Sequence, residues 1–287
     1  MAFKHKLRKK PNHSRGGDIA CIAVLLIMGL FTALPLVLSF SNALKPTEEL
    51  FIFPPRLFVK NPTLDNFHDV FVLMGQSWVT FSRYIFNTLF ITLTGTFAHL
   101  LVASLCAFAL AKHRFPGRNF VFGVIVTALM FSTEVTAIPN YLIMTKIGWL
   151  NTYLSLIVPA VCKPLGLFLM KQFMEQIPDT LLEAARIDGA KEFRVFWEIG
   201  MPQVKPAWLT LIIFCFQDLW NLQGSNYIYN EELKTLPYAL SQISAGGMAR
   251  AGATAAVTVI MMIVPITIFI ISQSNIIETM STSGIKE

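Results

Sequence analysis

Apolar residues in this chain fall in long unbroken runs rather than in the alternating or 3.6-residue patterns of half-buried elements. Ile19 to Leu44 carries no charged residue in 26 positions, and Tyr84 to Ala111 carries none in 28, with His99 inside the run. Crossing about 30 Å of hydrocarbon at 1.5 Å per residue takes about 20 residues, so both runs read as membrane spans. Four weaker candidates follow at about 119–133, 153–170 with Lys163 inside, 207–222 with Asp218 near its end, and 251–277. The pattern predicts an all-α polytopic membrane protein with six transmembrane helices.

The distribution of basic residues orients those spans. With the N-terminus inside, the inner segments hold 15 Lys and Arg and the outer segments 7, with Lys163 inside a span. The excess of positive charge on one side predicts cytoplasmic N- and C-termini. The start of the chain, MAFKHKLRKK, resembles a signal peptide, but its apolar run exceeds the 7–15 residues of a signal h-region and further spans follow. Residues 1–18 are therefore read as a basic cytoplasmic N-terminus, and 19–287 as the transmembrane domain.

Composition supports this reading. Of 287 residues, 54% are hydrophobic and 14% charged, and the net charge of +6 is crowded into a few short segments. Soluble domains carry about 25% charge, so a soluble nucleic-acid binder and a disordered chain are both excluded, and no nucleic-acid partner is expected. Cys21, Cys106, Cys162 and Cys215 each fall in a different span without CxxC spacing, and read as small packing residues rather than a disulfide framework or zinc site.

The connecting segments differ in information content. The outer segment 41–83 holds PTEEL, FPPRLF and NPTLDNF, whose prolines disfavour continuous helix, and reads as an extracellular cap. KHRFPGR at Lys112–Arg118 is a short basic turn. The inner segment 172–206 specifies far more. Pro178 precedes a helix start, Thr180 and Glu183 have capping-box spacing, and Gly189 offers the positive φ that ends a helix. A second amphipathic helix is expected over Glu192–Ile199, with Phe193, Phe196 and Trp197 on or near one face, stopping at Gly200 and Pro202. Two alanines beside an acidic residue suit close approach of a partner; the alternative is that Glu183 only caps its helix and the alanines only pack under the spans.

At these residues the sequence resembles a known family. EAARIDGA at Glu183–Ala190, followed by IGMPQVKPA at Ile199–Ala207, is similar to the EAA motif of inner-membrane permeases of binding-protein-dependent ABC importers. FPPRLFVKNPTLDNF, AKHRFPGR, IGWLNTYLSLIVPA and LWN at Leu219–Asn221 resemble the carbohydrate branch, specifically the six-span maltose-importer permease. The resemblance implies the type I ABC importer permease fold in the bacterial inner membrane. It implies as partners a homologous second permease, an ABC ATPase dimer, an extracytoplasmic solute-binding protein and a carbohydrate substrate.

The resemblance also implies roles. Glu183, Ala184, Ala185, Asp188 and Gly189 match the motif core and would couple to the ATPase, whose closure on ATP turns the spans from inward-open to outward-open. The outer loop 223–250 would reach toward the sugar pocket of the binding protein. The tail keeps Gly284, Ile285 and Lys286 of the family's usual ending but lacks its earlier aromatic-glycine stretch. The chain contains no GxxxxGK[ST], so no cofactor is expected on it, and ATP and Mg are expected on the partner ATPase.

Ionisable groups inside spans are costly and each is a site hypothesis. Glu134 and Asp218 lie near outer span ends, Lys163 precedes Pro164 at an expected kink near the translocation path, and His99 is expected to bond across a helix interface. Tyr141, Gln217, Trp220 and Asn221 have the aromatic and amide chemistry of sugar recognition. With Lys163 they form the expected substrate pathway. An intramembrane enzyme and a secondary transporter were the competing classes; the chain has no HExxH, no GxSxG, no paired intramembrane aspartates and no internal repeat.

Overall fold

A computed structural model describes residues 15–75, 78–224 and 226–283, with side chains of 273–283 left aside. The basic stretch 1–14 and the Gly284-Ile285-Lys286 tail lie outside the described residues. The described chain is helical: α1 (Arg15–Leu44), α2 (Asp65–Gly75), α3 (Phe81–Lys112), α4 (Arg118–Ala128), α5 (Thr133–Ile147), α6 (Leu154–Val161), α7 (Pro164–Glu175), α8 (Asp179–Ile187), α9 (Glu192–Gln203), α10 (Lys205–Trp220), α11 (Leu236–Ser244) and α12 (Ala251–Ser283).

Among the described residues, four helical stretches are long and apolar enough to cross a membrane, and six are if each bent pair counts as one span. The expected third span, 119–133, is in fact α4 and α5 meeting at 109°. With 11 residues, α4 rises only about 16 Å, short of the hydrocarbon thickness. Likewise α10 follows α9 through an 82° bend at Val204, so the fifth span is bent at its start. The fourth is interrupted at Cys162–Lys163, where Pro164 opens α7; the kink expected there is present.

The organising element is α3. Ile91, Gly95, His99, Ala103, Ala107 and Ala111 recur every four residues along it and are all buried. Small residues at that spacing let neighbouring backbones approach, which is how helices associate where water supplies no driving force between them. Helices α6, α7, α10 and α11 pack around α3. A Cβ on Gly95 would lie 2.6 Å from Leu219, and one on Gly166 of α7 would lie 2.1 Å from His99 Nε2. His99 Nδ1 is 2.9 Å from the Val161 carbonyl, which the break between α6 and α7 leaves without its helical partner, so the expected cross-helix bond is observed.

Toward the Lys112 end of α3, Ala107, Phe108 and Ala111 join Met170, Met174, Leu182, Val195, Phe196 and Val204 in one buried cluster. Toward the Tyr84 end, Tyr84 joins Leu236, Ala239, Leu240 and Ile243 in a second buried cluster, and hydrogen bonds are added to the apolar contact. Asn87 Nδ2 donates to the carbonyls of Glu232 (2.8 Å) and Lys234 (2.9 Å), Tyr153 donates to Asn87 Oδ1 (2.7 Å), and Leu236 N donates to Thr88 Oγ1 (2.8 Å). The segment 223–250 is ordered by these bonds into two 3₁₀ turns and α11.

Two local expectations are corrected. No capping box forms: Pro178 is the N-cap without a side-chain bond, α8 starts at Asp179, and Thr180 therefore sits inside the first turn. The second helix does not stop at Gly200 and Pro202 but continues to Gln203 through a π-turn, Val195–Gly200. That wider turn accommodates Pro202, whose ring clashes with the carbonyl four residues back in a regular helix. Of the cysteines read as packing residues, only Cys215 is buried; Cys21, Cys106 and Cys162 are exposed, and all four are free thiols.

Candidate functional site

The segment between α7 and α10 is fastened to the end of α3 by charge and by apolar burial together. Lys112, in the last turn of α3 with its side chain nearly buried, donates from Nζ to the Ile177 carbonyl at 2.5 Å and to Asp179 Oδ1 at 2.7 Å. The hydrogen bond from Lys112, and then its charge, hold the Asp179 carboxyl below the usual carboxylate range. From beneath, Leu182 enters the buried cluster at 1% exposure. The face opposite Leu182 is thereby fixed as the exposed one.

The expected coupling residues divide accordingly. Glu183, Ala184, Asp188 and Gly189 are exposed, while Ala185 is partly buried against the cluster. With the capping box absent, the capping role for Glu183 falls away, and its carboxylate forms no ion pair among the described residues. Gly189 adopts φ +82°, as the helix end requires, and nothing lies near its Cα where a side chain would go.

Two residues missed in the sequence close the turn. Arg186 Nε bonds Glu192 Oε1 at 2.8 Å and its second nitrogen bonds Oε2 at 3.2 Å, a bidentate clasp from α8 to α9. The Arg186 hydrogen bond holds the Glu192 carboxyl low, and Glu192 in turn raises Arg186. The signal was present as opposite charges flanking Gly189, but only the turn geometry brings them together. Around the clasp, Ile187 is 86% exposed and Phe193 68%, with Trp197 half-exposed 6.3 Å from the Phe193 ring. Of the three aromatics expected on one face, Phe196 instead turns inward against Phe108, 5.4 Å between centroids. Large apolar side chains are thus held in the open beside a charge-fastened turn.

The residues expected in a substrate pathway are dispersed. Lys163 caps α7 and donates to Asp218 Oδ2 on α10 at 2.7 Å, joining two groups that were read separately. Tyr141 on α5 shares a 2.8 Å hydrogen bond with Tyr229, and that bond raises the Tyr229 phenol. Asn151, at φ +59°, holds the same loop by accepting from the backbone N–H of Tyr229 (3.1 Å) and Asn230 (2.8 Å). Trp220 is buried, stacked on Phe216 and bonded from Nε1 to the Met261 carbonyl at 3.1 Å. Gln217 and Asn221 line a cleft of about 660 Å³ between α10, α11 and α12, with Leu36 of α1 at its edge; Tyr141, Lys163 and Trp220 do not line it.

Comparison with known proteins gives a consistent result. The family described as binding-protein-dependent transport system inner membrane component matches residues 99–281. The chain is 30% identical over 278 residues to the arabinooligosaccharides transport system permease protein AraQ of Halalkalibacterium halodurans, covering 92% of this chain and 94% of that one. It is 35% identical over 209 residues to protein LplC of Bacillus subtilis, covering 71% and 67% of the two chains. It is 32% identical over 208 residues to the sn-glycerol-3-phosphate transport system permease protein UgpE of Yersinia enterocolitica, covering 72% and 74%. Its fold is similar to a chain of a bacterial ABC transporter involved in the import of the acidic polysaccharide alginate, with a TM-score of 0.76, 23% identity, and 92% and 99% of the two chains covered.

Proposed function

The chain belongs to the binding-protein-dependent transport system inner membrane components, and from that premise we propose that it moves a carbohydrate into the cytoplasm, driven by ATP hydrolysis on a separate subunit. The observation that carries the proposal is the exposed, charge-fastened surface of α8 and α9. It bears Glu183 and Ala184 outward and is anchored by Leu182 and Lys112 to the helix around which the bundle is built. A push on α8 is therefore delivered to α3, and through the Val204 bend to α10, without passing through a flexible joint.

In this reading the 172–206 segment is the cytoplasmic coupling loop, 41–83 and 223–250 face outward, and six spans place both termini inside. The bent α4–α5 pair supplies the third crossing and α10, past its bend from α9, the fifth, and the asymmetry of Lys and Arg supports the orientation. Glu183, Ala184, Ala185, Asp188 and Gly189 meet the ATPase; Gln217 and Asn221 contact the sugar in the cleft. Lys163, Tyr141 and Trp220 shape the same path from behind, through the Asp218 pair, the Tyr229 bond and the Met261 bond. ATP and Mg reside on the ATPase, and a second permease and an external binding protein complete the complex. The carbohydrate reading is supported by the arabinooligosaccharide and alginate importers among the similar proteins.

The test is gentle purification of a tagged chain from its host with mass spectrometry of what accompanies it. Co-purification of a homologous permease, an ABC ATPase and a solute-binding protein is expected. A chain that emerges alone or as a homo-oligomer, with uptake driven by an ion gradient, overturns the proposal.

A further inference from the structure

Resting on the carbohydrate-importer reading, we infer that the cleft between α10, α11 and α12 is a subsite for uncharged saccharides that excludes uronates and sugar phosphates. Six polar side chains line it: Gln217, Asn221 and Gln223 at the end of α10, Ser241 and Ser244 on α11, and Thr258 on α12. All are amides or hydroxyls, and no Asp, Glu, Lys or Arg lines the cleft among the described residues. The cleft's volume of about 660 Å³ lies in the range of about 300–1,000 Å³ typical of small-ligand sites.

The chemistry of this lining matches a neutral sugar. Gln217 makes no side-chain hydrogen bond among the described residues and so keeps both donor and acceptor for a ligand, and Asn221 spends only one N–H, on the Gln217 carbonyl at 2.9 Å. The amides donate and accept, as sugar hydroxyls do; Ser241, Ser244 and Thr258, which donate to the carbonyls of Tyr238, Leu240 and Thr254, keep lone pairs to accept from a sugar, and the intervening Pro237, Val257 and Met261 offer apolar surface to the C–H faces of a ring. A carboxylate or phosphate placed there would leave water without a cation to meet it, and an unpaired charge at membrane depth is costly. Lys163, which caps α7 outside the cleft, is already committed to Asp218 of α10 at 2.7 Å. The lining thus separates this chain from a path built for the acidic polysaccharide its structural neighbour imports, or for the glycerol phosphate of one of its relatives.

The experiment uses the assembled complex, with Ser241→Cys introduced in this chain and maleimide labelling of that one position read by peptide mass spectrometry, which keeps the native cysteines out of the signal. Ser244→Cys serves as a second reporter should the first disturb assembly. Protectants are neutral tri- and tetrasaccharides of arabinose, xylose, glucose and galactose, uronate oligosaccharides of the same length, and glycerol 3-phosphate. At least one neutral oligosaccharide is expected to slow labelling fivefold or more, with the acidic compounds leaving the rate within twofold. Gln217→Arg is expected to bring protection by the uronates. Equal or greater protection by the acidic compounds in the Cys variant overturns the inference. Absence of protection by every compound, in a complex that retains its ATPase and takes up sugar, overturns the cleft as a saccharide subsite while leaving the importer reading intact. A complex without an ATPase and without sugar uptake overturns that reading instead.

Discussion

At its Lys112 end, α3 meets the 172–206 segment through a packed apolar cluster closed by a nearly buried lysine; at its Tyr84 end, it meets the 223–250 segment through a packed cluster as well, to which Asn87, donating to backbone carbonyls, and Thr88, accepting from the Leu236 N–H, add a layer of hydrogen bonds. The first kind of contact resists displacement in every direction, because apolar cores are close-packed and deform little. The second is directional, individually worth about 0.5–1.5 kcal/mol, and re-forms readily with water. In the proposed transport cycle, the Lys112 end would take force through packing and a single lysine, whereas the Tyr84 end carries an added layer of bonds that can exchange with water.

The largest expected effect comes from reversing the charge that the Lys112 end presents. Glu183→Lys is expected to leave the chain inserted at normal membrane level, by immunoblot, and to abolish uptake. On the proposed reading the ATPase meets a face that presents an acidic group, and placing the wrong sign of charge across an interface costs several kcal/mol. Normal uptake in this variant would break the distinction between the two ends.

Next in size is the packing of the bundle itself. Gly166→Ala puts a methyl group against the His99 ring and the Leu211 side chain, so these side chains, or α7 itself, must shift. Overpacking of this kind costs about 1–3 kcal/mol, and a lowered Tm in detergent is the readout. Lys112→Met is expected to fall in a similar range, since hydrogen bonds to charged groups contribute about 1.5–3 kcal/mol. Its distinguishing mark is loss of ATP-coupled uptake at a temperature where the bundle is still folded, because only the fastening of α8 is removed.

Smaller effects sharpen the picture at single residues. Gly189→Val forces a β-branched residue to φ +82° in open space, a purely conformational cost of about 1–2 kcal/mol, whereas Gly189→Asn is expected to be tolerated. The smallest effect is that of pH. Asp179 and Glu192 are held below the usual carboxylate range by Lys112 and Arg186, so what they contribute is fully present above the ordinary carboxylate pKa of about 4 and lost only as pH falls through their lower folded values. The Tm difference between wild type and Asp179→Asn should therefore stay constant from neutral pH down to about pH 5 and close only in stronger acid. Both groups are exposed or nearly so, and the difference is expected to be small.

How much of this was legible in the sequence follows the same division. Long apolar runs located α1, α3 and α12 because span length is a one-dimensional property, and Gly189 announced its positive φ because few residues adopt it. The 109° elbow between α4 and α5 was not legible, since the apolar run at 119–133 continues across the break and only the packing of α4 on α7 reveals it. The capping box failed for a related reason. Thr180 and Glu183 have the right spacing, but Asp179 bonded to Lys112 starts the helix two residues earlier than a Thr180 cap would. Lys163 and Asp218, 55 positions apart, were each visible as odd charges in apolar runs, yet their pairing depends on how α7 and α10 dock on α3. Trp220 has the right chemistry for a sugar platform, and only the structure shows its ring taken up by Phe216 and the Met261 carbonyl.

The central claim is that the exposed face of α8 is where an ATPase delivers its work. The most direct measurement places a cysteine there, Ala184→Cys, in the assembled complex, treats it with a short bifunctional thiol crosslinker with and without ATP, and identifies the adducts by mass spectrometry. The account predicts an adduct to the ABC ATPase subunit whose yield changes when ATP is trapped. An adduct only to lipid or to a second permease, with the ATPase present and unlinked under both conditions, would contradict it.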